Sequence, residues 1–172
     1  GFINFLPFDA ARTSGVRLKD LSVSKIRAFV RDAKQVRGFK MPLSARPIDV
    51  LTALELVDEK GRIANSAALL FAKRPQRFCL ASRVKCAWFL TDSVSKPIAD
   101  FKVFDGDVFE LTDQARDFVL SHISRQVGEH FQSIAPTTYE LPERAIFEAI
   151  VNAICHRDYT SNASVQVMLF PD

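Results

Sequence analysis

The chain has 172 residues, 48% hydrophobic and 25% charged, with a formal net charge of +3. That is enough for one ordinary domain or two small ones with a true apolar core, and it is not a disordered composition. No apolar run approaches the ~18–20 residues of a membrane span, and the opening Gly1-Phe-Ile-Asn-Phe-Leu-Pro7 lacks the basic start and small-residue cleavage site of a signal peptide. Without an initiating Met, the sequence reads as an internal piece of something longer. Cys79, Cys86 and Cys155 are odd in number and fit no paired metal-ligand spacing, so three reduced thiols and a cytoplasmic setting are expected.

Residues 1–20 read as an entering arm with a Thr13-Ser14-Gly15 turn. Ser22 is placed to cap a helix to Arg37, because Val23, Ile26, Phe29, Val30 and Ala33 recur at helical spacing and Gly38 follows. A second helix is expected over Ile48 to Val57, then a turn at Asp58–Gly61. Asn65 is expected to cap a third helix through Ala72, stopped before Pro75. From Arg17 to Arg46 there are nine basic residues and two acids. Lys25, Arg27, Arg31 and Lys34 are candidate nucleic-acid contacts on the first helix, a solvated helix face being the plainer alternative. Three short helices with a basic first member are also compatible with a helix-turn-helix module or a packed helical linker.

A different texture begins near Ser82. Val84–Leu90 and Ile98–Phe104 read as strands, and Thr112 starts a long amphipathic helix to Phe131. A loop at Ala135–Thr138 leads to Pro142, which opens a further helix. Ser164–Phe170 alternates as a strand. The expectation is an α/β (α+β) chain, with a small helical domain over 21–78 and a two-layer α/β domain over 79–172.

The helix after Pro142 carries the chemistry. At ~100° per residue, Ile146, Phe147, Ile150, Val151 and Ile154 fall within about 140° of one another, and Glu148, Asn152 and His156 lie on the opposite ridge. Ala149 and Ala153 beside that ridge leave room for a ligand. A carboxamide oxygen suits Mg²⁺, and a carboxylate one turn earlier suits a water-orienting base. On its own Glu-x-x-x-Asn is a common surface pattern.

The longer string Pro142-Glu-Arg-Ala-Ile-Phe-Glu148-Ala-Ile-Val-Asn152-Ala-Ile-Cys-His156-Arg157-Asp158-Tyr159, with Gly61-Arg-Ile-Ala-Asn65-Ser-Ala-Ala-Leu-Leu-Phe71-Ala-Lys-Arg-Pro75-Gln-Arg-Phe78 upstream, resembles the prokaryotic RecG-related family of ATP-dependent helicases and transcriptional regulators. Those proteins pair a Schlafen/AlbA-type DNA-binding domain with a histidine-kinase-like (GHKL) ATPase domain. The resemblance implies that 79–172 is the N-terminal part of a GHKL-like sandwich and that Glu148 and Asn152 form its asparagine box. Asn152 would be the Mg²⁺ ligand and Glu148 the catalytic base. His156, Arg157 and Asp158 would lie near the nucleotide, with Arg157 reaching a phosphate or Asp158 closing a structural corner. The family's glycine boxes follow the asparagine box, and nothing here follows Asp172. ATP and Mg²⁺ are therefore expected of the full-length protein and not of this piece. DNA through the parent protein and a homodimer are the expected partners, with no membrane.

Other readings fit less well. His156-Arg157-Asp158 matches the start of a protein-kinase catalytic loop, but Asn162 falls four residues after Asp158 where that loop needs five. No P-loop sequence occurs, and the three histidines have no metal-hydrolase spacing. A non-enzymatic interaction or dimerisation module of a DNA-binding regulator is the principal alternative.

Overall fold

The computed structural model describes residues 8, 10–12, 15–94, 96–130 and 142–171, with the side chains of 124–130 left aside. Much of the entering arm, the expected helix end at Phe131 and the loop at 135–138 lie outside the described residues. The fold is α+β, with five helices and one three-stranded mixed sheet among the described residues. The chain divides into two compact units, Gly1–Ser82 with Tyr159–Ser161, and Arg83–Asp158 with Asn162–Asp172.

The first unit is helical. Helix α1 spans Val23–Arg37; the Ser22 hydroxyl accepts the Lys25 N–H at 3.4 Å, and Gly38 ends the helix at φ 62°, a left-handed conformation that glycine adopts without a Cβ penalty. Helix α2, Pro47–Ala53, is shorter than the periodicity predicts. Its apolar pattern runs on, but Glu55 takes a positive φ of 60°, and Leu56 N–H turns back to the Leu51 carbonyl at 2.8 Å. Val57 instead bridges Ile63 across a turn that Asp58 organises by accepting N–H groups of Lys60 (3.0 Å) and Arg62 (2.8 Å).

Helix α3 spans Asn65–Phe71 with Ala64, not Asn65, at the cap position. The Asn65 carboxamide is used elsewhere: buried to 1% exposure, it donates to the Phe8 carbonyl at 2.8 Å, and its N–H reaches the Ala11 carbonyl at 2.8 Å. It therefore anchors the arriving chain. Leu21, Ile26, Val30, Val50, Leu51, Ala67 and Phe71 make the core of this unit, where each large side chain contributes roughly 1.5–3 kcal/mol. The connections 38–46 and 54–64 are both longer than the 3–4-residue turn of a helix-turn-helix.

The second unit is a sheet covered on one face by helices. Strand β1 (Arg83–Phe89) is central, β2 (Ile98–Asp105) pairs with it antiparallel, and β3 (Val165–Leu169) pairs with it in parallel. A parallel partner requires a crossover, and α4 (Val108–His130) with α5 (Glu143–Cys155) supplies it. Helix α4 begins four residues earlier than Thr112. The reason is a reciprocal cap: Asp107 Oδ1 accepts the Glu110 N–H, and Glu110 Oε2 accepts the Asp107 N–H, each at 2.9 Å. Val84 and Cys86 from the sheet pack with Leu111, Ala115, Phe118 and Val119 of α4 and with Ile146, Ile150 and Ile154 of α5. No helix among the described residues is long and apolar enough to cross a membrane.

Candidate nucleotide-site helix and basic surface

Helix α5 begins where Pro142 sits at the cap, and its three isoleucines recur every four residues. Ile146, Ile150 and Ile154 are 8%, 5% and 1% exposed, so this stripe fastens the helix to the sheet. Phe147 does not join them, contrary to the expected stripe. At 39% exposure it lies on the flank and lines an open cleft of about 480 Å³ with Arg116, Glu143 and Arg144. The stripe is thus narrower than the sequence pattern implies.

Glu148, Asn152 and His156 are all exposed. They lie roughly 120–160° around the helix from the centre of the isoleucine stripe and about 6 Å apart along it. His156 closes the helix, its N–H reaching the Asn152 backbone carbonyl at 2.9 Å, and the Asn152 residue itself is exposed. The ridge and the cleft are separate features, since neither Glu148 nor Asn152 lines the cleft. Arg157 turns back and donates to the Ala163 carbonyl, bracing the connection from α5 to β3. Asp158 is exposed in the same connection.

The donor set at the ridge is a carboxamide and a carboxylate, the hard oxygens Mg²⁺ takes alongside water and substrate phosphates. The second unit as a whole is acidic, with eight Lys or Arg against thirteen Asp or Glu. Such a field disfavours a bare polyphosphate and favours one that arrives with a divalent cation. Groups of three or more His, Cys, Asp or Glu poised for a metal do not occur among the described residues. Burial pushes the Cys86 thiol up to about 12, and desolvation also raises Cys155.

On α1 the four expected nucleic-acid contacts separate. Arg27, Arg31 and Lys34 fall within about 60° of one another on the exposed side, whereas Lys25 lies about 160° from Arg27. Lys25 is half-buried, and the other three are exposed. Three cations form a ridge; Lys25 does not belong to it. Arg31 also pairs with Asp32 at 3.0 Å, an exposed contact that a phosphate can displace at little cost.

Sequence reading missed a buried polar cluster in the second unit. His122, 2% exposed, lies between the Trp88 ring at 4.9 Å and the Phe118 ring at 4.3 Å. Its Nδ1 is 2.7 Å from the Phe118 carbonyl, which can only accept, so Nδ1 carries a proton. Nε2 lies 3.2 Å from Asp100 Oδ2 without making a hydrogen bond to it. The spacing Ala115, Phe118, Val119, His122 places it on the core face of α4, which was the available signal.

No protein-family model matches the chain, and no curated protein matches it. Among solved structures it is similar to the DIP2311 protein from Corynebacterium diphtheriae, with a TM-score of 0.63 and 17% sequence identity over 95% of this chain. The likeness is one of fold. The match takes in 29% of that protein, so the present chain spans under a third of its length.

Proposed function

We propose that the chain contributes the asparagine-box half of a Mg²⁺-dependent ATP site to a larger DNA-binding regulator of the RecG-related, GHKL-like type. The observation that carries this reading is the division of α5. Its isoleucine stripe holds it to the sheet, while Glu148 and Asn152 face outward one turn apart. Asn152 would hold the metal, and Mg²⁺ when bound would neutralise phosphate charge. Glu148 would orient a water toward the terminal phosphate. Arg157, bracing the connection to β3, has a supporting place in this reading and not a phosphate contact. The test is calorimetric titration of the full-length protein with Mg-ATP. Binding and turnover in the wild type, with both lost in Asn152→Ala and turnover alone lost in Glu148→Gln, is the expected result. Absence of binding by the full-length protein would falsify the nucleotide reading.

One observation favours the non-enzymatic alternative. The sheet face away from the helices carries Phe101 at 50% exposure, Val103 at 45% and Met168 at 40%, and Phe101 and Met168 flank Ala87 in register. An apolar strand face of this kind suits a protein partner or a second copy. Sedimentation across a concentration series tests it: a dimer disrupted by Phe101→Lys supports that reading, and a monomer throughout rejects self-association.

A further inference from the structure

A second basic patch forms where two segments far apart in sequence meet. The antiparallel bridge between Leu21 and Ala72 sets residues 17–21 beside 72–77. Around it, Ser22 N–H donates to the Phe71 carbonyl at 2.8 Å, Lys73 N–H to the Asp20 carbonyl at 3.0 Å, and Lys73 Nζ to the Lys19 carbonyl at 3.0 Å. Arg17, Lys19, Lys73, Arg74 and Arg77 are all exposed here, and Asp20 is the acid among them. Asp20 accepts the Arg17 N–H at 3.0 Å and lies 3.7 Å from Arg17 Nε and 3.8 Å from Arg77 Nη1. One carboxylate thus orients two guanidinium groups and leaves four positive charges uncompensated. The Arg17 N–H, and after it the charges of Arg17, Arg77 and Lys19, hold the Asp20 carboxyl below the usual carboxylate range.

The surroundings reinforce the patch. The first unit carries fifteen Lys or Arg and seven Asp or Glu, a formal +8. Like charges at this density repel one another, and a ligand that supplies negative charge relieves that repulsion.

We infer that the Leu21–Ala72 junction is a binding surface for the phosphate backbone of duplex nucleic acid. Three of the five cations are arginines, whose planar forks match phosphate oxygens. Backbone hydrogen bonds on both sides of the bridge fix their attachment points, which suits a regularly spaced polyanion. A membrane surface is the weaker fit, because it would be met by a long amphipathic helix, and these cations lie on a bridge and two short 3-10 turns. The inference deepens the DNA-binding part of the proposed function and is independent of its nucleotide part.

The test is fluorescence anisotropy of a labelled random-sequence duplex titrated with the 172-residue chain at several salt concentrations. Each lost phosphate contact flattens the log–log salt slope by about 0.9. Lys73→Gln/Arg74→Gln should therefore flatten it by about 1.8, so that raising salt from about 50 to 200 mM costs roughly twelve-fold less affinity than in the wild type. Arg74→Gln alone should give half that change in slope, with circular dichroism showing an intact fold in both. An unchanged slope in the double variant overturns the site. If binding is lost only in Arg27→Gln/Arg31→Gln/Lys34→Gln, DNA contact belongs to the α1 ridge and this site is rejected while the DNA-binding reading survives. Failure of the wild-type chain to bind duplex at low salt, or preference for phosphatidylserine–phosphatidylcholine vesicles over duplex, removes the inference. Neither result touches the Mg-ATP titration.

Discussion

Helix α5 offers a direct separation of fold from site. Ile154→Ala removes a side chain that is 1% exposed at the centre of the second unit's core. Deletions of this size in a packed core cost about 2–5 kcal/mol, from lost transfer free energy and from the cavity left behind. A value near 3 kcal/mol is expected here, because Ile154 is held between the sheet and α4 and neither can close fully on the gap. Asn152→Ala should act in the opposite direction. Asn152 is exposed, its backbone bond to His156 survives the change, and alanine is the better helix former by roughly 0.5 kcal/mol. Urea unfolding followed by fluorescence makes the comparison, since the one tryptophan, Trp88, lies in β1 and reports on this unit. With a slope of about 2 kcal/mol per molar urea, Ile154→Ala should lower the midpoint by about 1.5 M, and Asn152→Ala should leave it unchanged or slightly raised. A loss above about 1 kcal/mol in Asn152→Ala would mean that the outward ridge is structural. The ridge would then not be reserved for a ligand, whatever the ATP titration showed.

Three further outcomes follow from the packing and charge. Cys86 is held up to about 12 by burial, against about 8.5 in an unfolded chain. A raised folded value means its contribution is complete below the unfolded pKa and is lost as pH climbs through the folded one. Wild-type stability should therefore fall faster than that of Cys86→Ala between about pH 9 and 12, by up to about 1.4 kcal/mol per unit, and parallel urea curves would reject this. Asp58 is held below the usual carboxylate range, first by the Arg62 N–H and then by the Arg62 side chain. Its contribution is present above about pH 4 and is lost on acidification, so Asp58→Asn should flatten the acid limb of the first unit's melting curve. Asp107→Ala and Glu110→Ala should each cost about 1 kcal/mol. A double-mutant cycle should be close to additive, because each alanine removes one side-chain acceptor and leaves the backbone N–H of the other bond in place.

Much of this molecule was legible as a string, and the reason is local. Ser22 and Gly38 bound α1 because their capping chemistry acts within a few residues, and the strands at 83–89 and 98–105 follow from runs of apolar side chains. The isoleucines of α5 and the opposing Glu148–Asn152–His156 ridge follow from helix geometry alone. Tertiary structure decided what depends on partners distant in the chain. It ended α2 at Ala53, because Leu56 turns back and Val57 finds Ile63. It took Asn65 from the cap and gave it to the Phe8 carbonyl, since a buried carboxamide must have an acceptor. It left Phe147 outside the stripe and set His122 against Asp100. It also gathered Arg17, Lys19, Lys73, Arg74 and Arg77 around Asp20, which no local pattern encodes because the Leu21–Ala72 bridge exists only in the folded chain. Periodicity and capping residues decide which segments are helices and strands. Long-range pairing decides which of their charges and rings meet.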